Sequence, residues 1–290
     1  MKMKKFLALG LCAMMAVTTF VSCGSSDSGS GEGPAGDITV VSREEGSGTR
    51  GAFVELMGVM DEEENDITTQ NAEVTNSTSV MMQTVAGNDA AIGYVSLGSL
   101  SDDVKALKVD GVEATVDNVK SGDYKVARPF NIVKGENVSE LAQDFEKYIM
   151  SEEGQATVAE EGYIREDNTE EYTASGLSGK ITLAGSTSVA PVMEVLAEGY
   201  KALNPDVEIE IQQTGSGAGI ESAIAGTCDL GMSSRALTED ELAQGLTVTE
   251  IATDGIAVIV NNNNTIEDLT TDIIGQIFKG EITTWDEVTK

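Results

Sequence analysis

The stretch Lys180-Ile181-Thr182-Leu183-Ala184-Gly185-Ser186-Thr187-Ser188-Val189-Ala190-Pro191 decides the fold. Its first five residues suit a strand. From Val189 onward, Val192, Met193, Leu196, Tyr200 and Leu203 recur at spacings of three and four, which marks one face of a helix. Pro191 fits the first turn of that helix, where a missing N–H does no harm. Between strand and helix lies a turn of glycine and hydroxyl residues, Gly185 to Ser188. Such a loop leaves backbone N–H groups unpaired at a helix start and sets hydroxyl donors beside them, so it suits a bound anion. Two more loops of this kind occur, Arg43-Glu44-Glu45-Gly46-Ser47-Gly48-Thr49-Arg50 and Thr214-Gly215-Ser216-Gly217-Ala218-Gly219. Together the three predict one multi-donor anion pocket.

Working outward, strand-like and helix-like runs alternate. Strands are expected at Asp37 to Val41, Ala91 to Ser96, Val104 to Val109, Val126 to Val133, Val207 to Ile211, Asp229 to Met232 and the fully apolar Ile256 to Val260. Helices are expected after the Arg43 loop to about Val59, at Val80 to Ala86, in two pieces between Val138 and Glu160, at Gly219 to Ala225 and at Glu267 to Phe278. Arg165 to Gly179 is polar, acidic and aperiodic, a connection between two halves. This alternation calls for parallel or mixed sheets covered on both faces, with ligands at the carboxyl ends of strands.

Composition narrows the chemistry. The 290 residues carry 18 Lys and Arg against 49 Asp and Glu, a formal charge of −31, so the surface repels nucleic acid and anionic lipid. An anion pocket on such a chain has to work through local dipoles and an arginine. There is no histidine, which excludes Ser-His-Asp and Cys-His catalysis and imidazole-ligated zinc. No catalytic residue, metal or cofactor is expected. Residues 1–22 combine Lys2, Lys4 and Lys5 with an apolar run from Phe6 to Val17 and read as an export signal. Phe20-Val21-Ser22-Cys23 resembles a lipoprotein cleavage box, so a lipidated Cys23 and a Gly/Ser linker over 23–36 are expected, with an extracytoplasmic chain held to the membrane by its lipid alone.

The three loops, together with Asp229-Leu230-Gly231-Met232-Ser233-Ser234, Asp254-Gly255-Ile256-Ala257-Val258-Ile259-Val260-Asn261, Ile277-Phe278-Lys279-Gly280-Glu281-Ile282 with Trp285, and Ala91 to Ser96, resemble the phosphate-binding lipoproteins of bacterial phosphate ABC transporters. The resemblance spans nearly all of the expected mature chain. It implies an α/β, two-lobed periplasmic-binding-protein-like (type II) fold, each lobe a mixed sheet flanked by helices, with the ligand cleft between lobes. The order of motifs departs from the family: there the Gly-Ser-Thr-Ser loop comes first, whereas here Arg43 precedes Gly185. The chain is therefore expected to be circularly permuted, with one lobe built from 37–99 plus 254–290, the other from 100–253, and Lys290 near Asp37. Exchange of halves between two copies is the rival to a monomer.

The resemblance also implies the site. Phosphate contacts carry over to Arg43, Ser47, Gly48, Thr49, Thr187, Ser188, Ser216 and Ser234, with Glu45 either orienting the Arg43 guanidinium or standing as an exposed loop carboxylate. Arg43 supplies a planar fork matching two oxygens of a tetrahedral ion. Ser234 stands where many members have an Asp that accepts the phosphate proton, so rejection of sulfate is open at this point. The implied partners are inorganic phosphate and ABC permease subunits. A sulfate-like oxyanion is the alternative ligand, and a phosphate-ester hydrolase the alternative class. Asn76-Ser77-Thr78-Ser79-Val80 echoes Gly185 to Val189 and also begins a helix, and it reads as a cap rather than as a ligand.

Overall fold

The structure is a computed structural model that describes residues 36–167 and 169–288. The expected signal segment, the Cys23 lipidation site, the linker up to residue 35 and Lys290 lie outside these residues. Strands in the first part of the chain are β1 (Thr39–Arg43), β2 (Glu73–Thr75), β3 (Ala91–Ser96), β4 (Val104–Ala106), β5 (Lys108–Val109), β6 (Ala127–Lys134) and β7 (Ile164–Arg165). The second part adds β8 (Gly179–Gly185), β9 (Val207–Gln213), β10 (Leu230–Ser233), β11 (Thr247–Asn261) and β12 (Asp268–Leu269).

Ten of these strands form one mixed sheet, with hydrogen-bonded order β2-β1-β3-β11-β6-β10-β8-β9 and with β4 and β7 also paired to β11. β1 runs parallel to β2 and β3, and β8 runs parallel to β9 and β10, so each outer part of the sheet is parallel. Antiparallel β6 and β11 join the two parts. β11 is 15 residues long, because the apolar run Ile256 to Val260 continues a strand that already pairs with β6 from Thr247. Only the apolar half of this strand is marked in the sequence, since Thr247 to Glu250 is mostly polar, shows no alternation in burial and lies nearer the surface.

Two large hydrophobic cores flank this shared strand, with a small third cluster of Val133, Ile220 and Ala223 beside them. One gathers Val41, Phe53, Tyr94, Val109, Tyr124, Ile259, Phe278 and Trp285, and the other Phe130, Phe145, Ile181, Leu196, Tyr200 and Ile251. The core boundary corrects the expected break at Leu100. Residues 104–126 pack in the first core because β4 pairs with the far end of β11 (Ala106 opposite Ile259), and the Tyr124 hydroxyl donates to the Ile256 carbonyl at 2.8 Å. The chain passes between cores at Val126 and Ala127, and returns at Thr253 to Ile256. A second correction concerns Asp268 and Leu269, which pair with β5, so the expected helix at Glu267 begins only at Thr271. At the other end, Ile38 N–H donates to Thr283 O at 2.8 Å and Trp285 N–H to Gly36 O at 2.9 Å, which sets the C-terminal segment beside the start of β1.

The aperiodic connection is tied down through one carboxylate. Asp144 accepts from the hydroxyls of Tyr172 (2.6 Å), Tyr200 (2.7 Å) and Ser175 (2.8 Å), two of which belong to the connection. Burial pushes the Asp144 carboxyl up, but the three hydroxyl bonds outweigh it and hold it below the usual carboxylate range. A depressed folded value stabilises the fold above the unfolded value of about 3.9 and is lost as pH falls through the folded one. Acidification below about pH 4 is expected to lower the urea midpoint more in the wild type than in Asp144→Asn. Parallel curves for the two proteins would refute this.

Candidate functional site

Four helices of nine residues or more begin at one place. They are Gly48–Leu56, Thr78–Ala86, Ala190–Leu203 and Ser216–Ala225. The first two pack in the first core, Ala190–Leu203 packs in the second, and Ser216–Ala225 packs through Ile220 and Ala223 in a third, small cluster with Val133 of β6. Each start follows a strand and a glycine or hydroxyl turn, as the loop chemistry dictates. Ser47 and Ser77 cap the first two helices, accepting from Arg50 N–H at 3.4 Å and Val80 N–H at 3.2 Å. In the third, the Ser186 hydroxyl accepts from the N–H groups of Ser188 and Val189. The aligned peptide dipoles of four N-termini make this a positive locus on a strongly negative protein.

Arg43, at the end of β1, is 2% exposed. Its Nε and Nη2 donate to the two Glu44 carboxylate oxygens, both at 2.8 Å, and Nη2 also donates to Thr187 Oγ1 at 3.0 Å. This corrects the orienting role given to Glu45. Glu45 is exposed at the loop tip, and the adjacent Glu44 holds the guanidinium instead because β1 turns immediately after Arg43. Beneath Arg43, its N–H and the Ser42 hydroxyl meet the Tyr94 hydroxyl at 3.2 and 3.0 Å. Burial pushes the Tyr94 phenol up to about 12, so it is neutral at physiological pH and serves as a fixed prop. Arg50 braces the same loop, donating to Arg43 O at 2.9 Å and pairing with Asp66.

The hydroxyls continue from Thr187 as a connected array. Thr78 Oγ1 lies 3.3 Å from Thr187 Oγ1 and 3.2 Å from Ser188 Oγ, and Ser188 Oγ lies 2.9 Å from Thr49 Oγ1. On the other side, Ser216 Oγ is 3.3 Å from Ser234 Oγ and accepts from Ser234 N–H at 3.1 Å. Gly48 connects the two groups: a Cβ there would run into the Ser216 and Ser234 hydroxyls, so only glycine allows this approach. Gly217 N–H donates to Gly46 O at 2.9 Å, fastening the first loop to the third. Arg43, Gly48, Thr49, Thr187, Ser188, Ser216 and Ser234 thus meet, while the Ser47 hydroxyl is spent as a cap. Thr78, which the sequence reading left within a helix cap, joins this hydroxyl array. Its signal was present in the hydroxyl-rich helix start that echoes Gly185 to Val189, and Ser77 rather than Thr78 turns out to be the cap.

A second buried guanidinium lies close by. Arg128 donates from Nε and Nη2 to Asp254 Oδ2 at 3.1 and 3.0 Å, and from Nη1 to Ser234 O at 3.1 Å. Burial, opposed by Asp254 and reinforced by the positive charge of Arg43, pulls the Arg128 guanidinium below its ordinary value. Among the described residues no cluster of acidic or cysteine side chains is arranged to hold a metal ion, and no helix is long and apolar enough to cross a membrane.

The PBP superfamily domain matches residues 24–153 and 170–290. A protein of Streptococcus agalactiae serotype V named phosphate-binding protein PstS 2 is 49% identical, the alignment covering all of both chains. The chain belongs to this family of phosphate-binding proteins. A PstS 2 of Streptococcus pneumoniae is 45% identical over 99% of this chain and all of its own. The crystal structure of a phosphate ABC transporter phosphate-binding protein from the same species superposes with a TM-score of 0.70 at 47% identity, covering 87% of this chain and all of that one. The PstS of Bacillus subtilis, by contrast, is 33% identical over only 38% of either chain. The two-core mixed α/β sheet is therefore that of a PBP-like binding protein.

Proposed function

We propose that this PstS family member captures inorganic phosphate outside the cytoplasm and hands it to an ABC permease for uptake. The observation that carries the reading is a buried Arg43 guanidinium bonded to Thr187, itself part of a hydroxyl array at converging helix starts, on a chain whose full-length relatives are named phosphate-binding proteins. Those names describe receptors, and the array contains no activated nucleophile, so uptake rather than ester hydrolysis is the function. Calorimetric titration of protein freed of carried-over ions tests the reading. Saturable heat at micromolar phosphate is expected, and none up to millimolar would sink it.

Selectivity follows from the hydroxyls. Phosphate at neutral pH differs from sulfate by a proton, which needs an acceptor. Glu44 is held as the charge partner of Arg43, and the acceptors beside it are hydroxyls such as those of Ser234 and Ser216, which can equally donate. Excess sulfate is therefore expected to compete measurably, and an unchanged phosphate affinity in its presence would refute this. Thr78 joins the site as well. Thr78→Val, which keeps shape but removes the hydroxyl, is expected to weaken phosphate binding by about 1 kcal/mol, and Thr78→Ser by less. Equal affinities in the two variants would remove Thr78 from the site.

The permuted order belongs to the same reading. A rotated chain can align only one contiguous block with an unrotated relative, and the Bacillus subtilis match stops at 38% while the PstS 2 matches run end to end. The apposition of Thr283 to Trp285 with Gly36 to Ile38 would let the usual order be rejoined there. A chain joined at those ends and opened within 169–178 should bind phosphate with unchanged affinity; failure to fold would count against the permutation. A monomer rather than an exchange of halves is part of the proposal, and light scattering checks it. The Cys23 anchor completes the reading, and Cys23→Ser should free the protein from the membrane fraction.

A further inference from the structure

The Arg128 and Asp254 pair has a place that packing alone does not require. The two residues are register partners on antiparallel β6 and β11, at the point where both strands pass from one core to the other. Both are buried, at 3% and 1% exposure. All three guanidinium nitrogens are used, which fixes the plane of the group, and its Cζ sits 5.3 Å from the centre of the Phe130 ring. Pro129 follows directly and confines Arg128 to extended backbone. On the far side, Asp254 Oδ1 accepts from Ser96 Oγ at 2.8 Å, so the pair is anchored in the first core as well.

The remaining bond leads to the anion site. Arg128 Nη1 grips the Ser234 carbonyl, while Ser234 N–H is held by Ser216 Oγ. The Ser234 residue is thus clamped at both its N–H and its carbonyl, and its hydroxyl faces Ser216 beneath Gly48. We propose that Arg128 is a positioning residue of the anion site, which, held by Asp254 where β6 and β11 cross, fixes Ser234 and thereby sets phosphate affinity. The proposal rests on the phosphate reading above. Lysine cannot take over this role, because a single ammonium lacks the fork that spans a carboxylate and a carbonyl at once.

The test is phosphate titration at a temperature where every variant is folded, beside thermal melts. Arg128→Lys is expected to weaken binding about tenfold and Arg128→Met about a hundredfold, the scale of one or two hydrogen bonds involving a charged group. Ser96→Ala, which loosens Asp254 while leaving the Ser234 clamp in place, is expected to lower the melting temperature and shift affinity less than about twofold. In a Ser234→Ala background the Arg128→Lys effect should shrink below about threefold, because the hydroxyl being positioned is gone. A lowered melting temperature with unchanged affinity in Arg128→Lys, or full additivity with Ser234→Ala, would overturn the proposal and leave a purely structural ion pair. Should Arg128→Met not fold, the lysine variant carries the test. Wild-type protein that binds no phosphate would remove the parent reading itself, an outcome visible before any variant is made.

Discussion

Arg43→Ala is expected to weaken phosphate binding by about 3–5 kcal/mol, which is roughly a hundredfold to several thousandfold. Two effects add. The bound anion loses its one directly facing cation in a buried place, and Glu44, whose two oxygens were both engaged by that cation, is left as an uncompensated negative charge beside the ligand. Arg43→Lys should recover only part of the loss, since an ammonium cannot grip Glu44 with two parallel bonds and still reach Thr187. Glu44→Gln is informative in the opposite sense. It removes the competing carboxylate while keeping an acceptor for Arg43, so binding should change far less than in Arg43→Ala. Calorimetry on the three variants checks the set, and an Arg43→Ala affinity within a few-fold of wild type would place the anion elsewhere.

The largest expected effect on the fold itself comes from Asp254→Ala. Removing one partner of a fully buried ion pair leaves the other as an unpaired charge, which costs about 3–5 kcal/mol, a large fraction of an ordinary domain's stability. Ser96 Oγ loses its acceptor in the same change. Replacing both members together, Arg128→Met with Asp254→Leu, removes the charges along with their desolvation and should be far less damaging to stability than Asp254→Ala alone. Urea unfolding of the single and double variants distinguishes the cases. A double variant no more stable than the single one would mean that the site cannot repack around apolar side chains.

Much of this was legible in the sequence, because its strongest signals are local. Gly185 to Ser188, Thr214 to Gly219 and Arg43 to Thr49 each announce a helix start by glycine and hydroxyl chemistry, and the structure brings all three loops to one place. The breaks come where long-range pairing decides. Glu44 and Glu45 are equivalent in composition, and only the turn after β1 determines which one faces the guanidinium. The first half of β11 has no apolar run to mark it and is a strand because β6 lies beside it. Val104 to Val126 follow one core rather than the other because Ala106 pairs opposite Ile259, a contact spanning more than half the chain. Arg128 carries no local cue at all, as its partner Asp254 is 126 residues away.

The fifteen residues of β11 also have a consequence for how the molecule comes apart. Ile251 and Ala252 are fully enclosed in one core and Ile256 to Val260 in the other, within a single unbroken strand. Melting either core frays the backbone that the other depends on, so neither can survive alone. Heating should therefore give one calorimetric endotherm whose van't Hoff and calorimetric enthalpies agree, instead of two separable transitions.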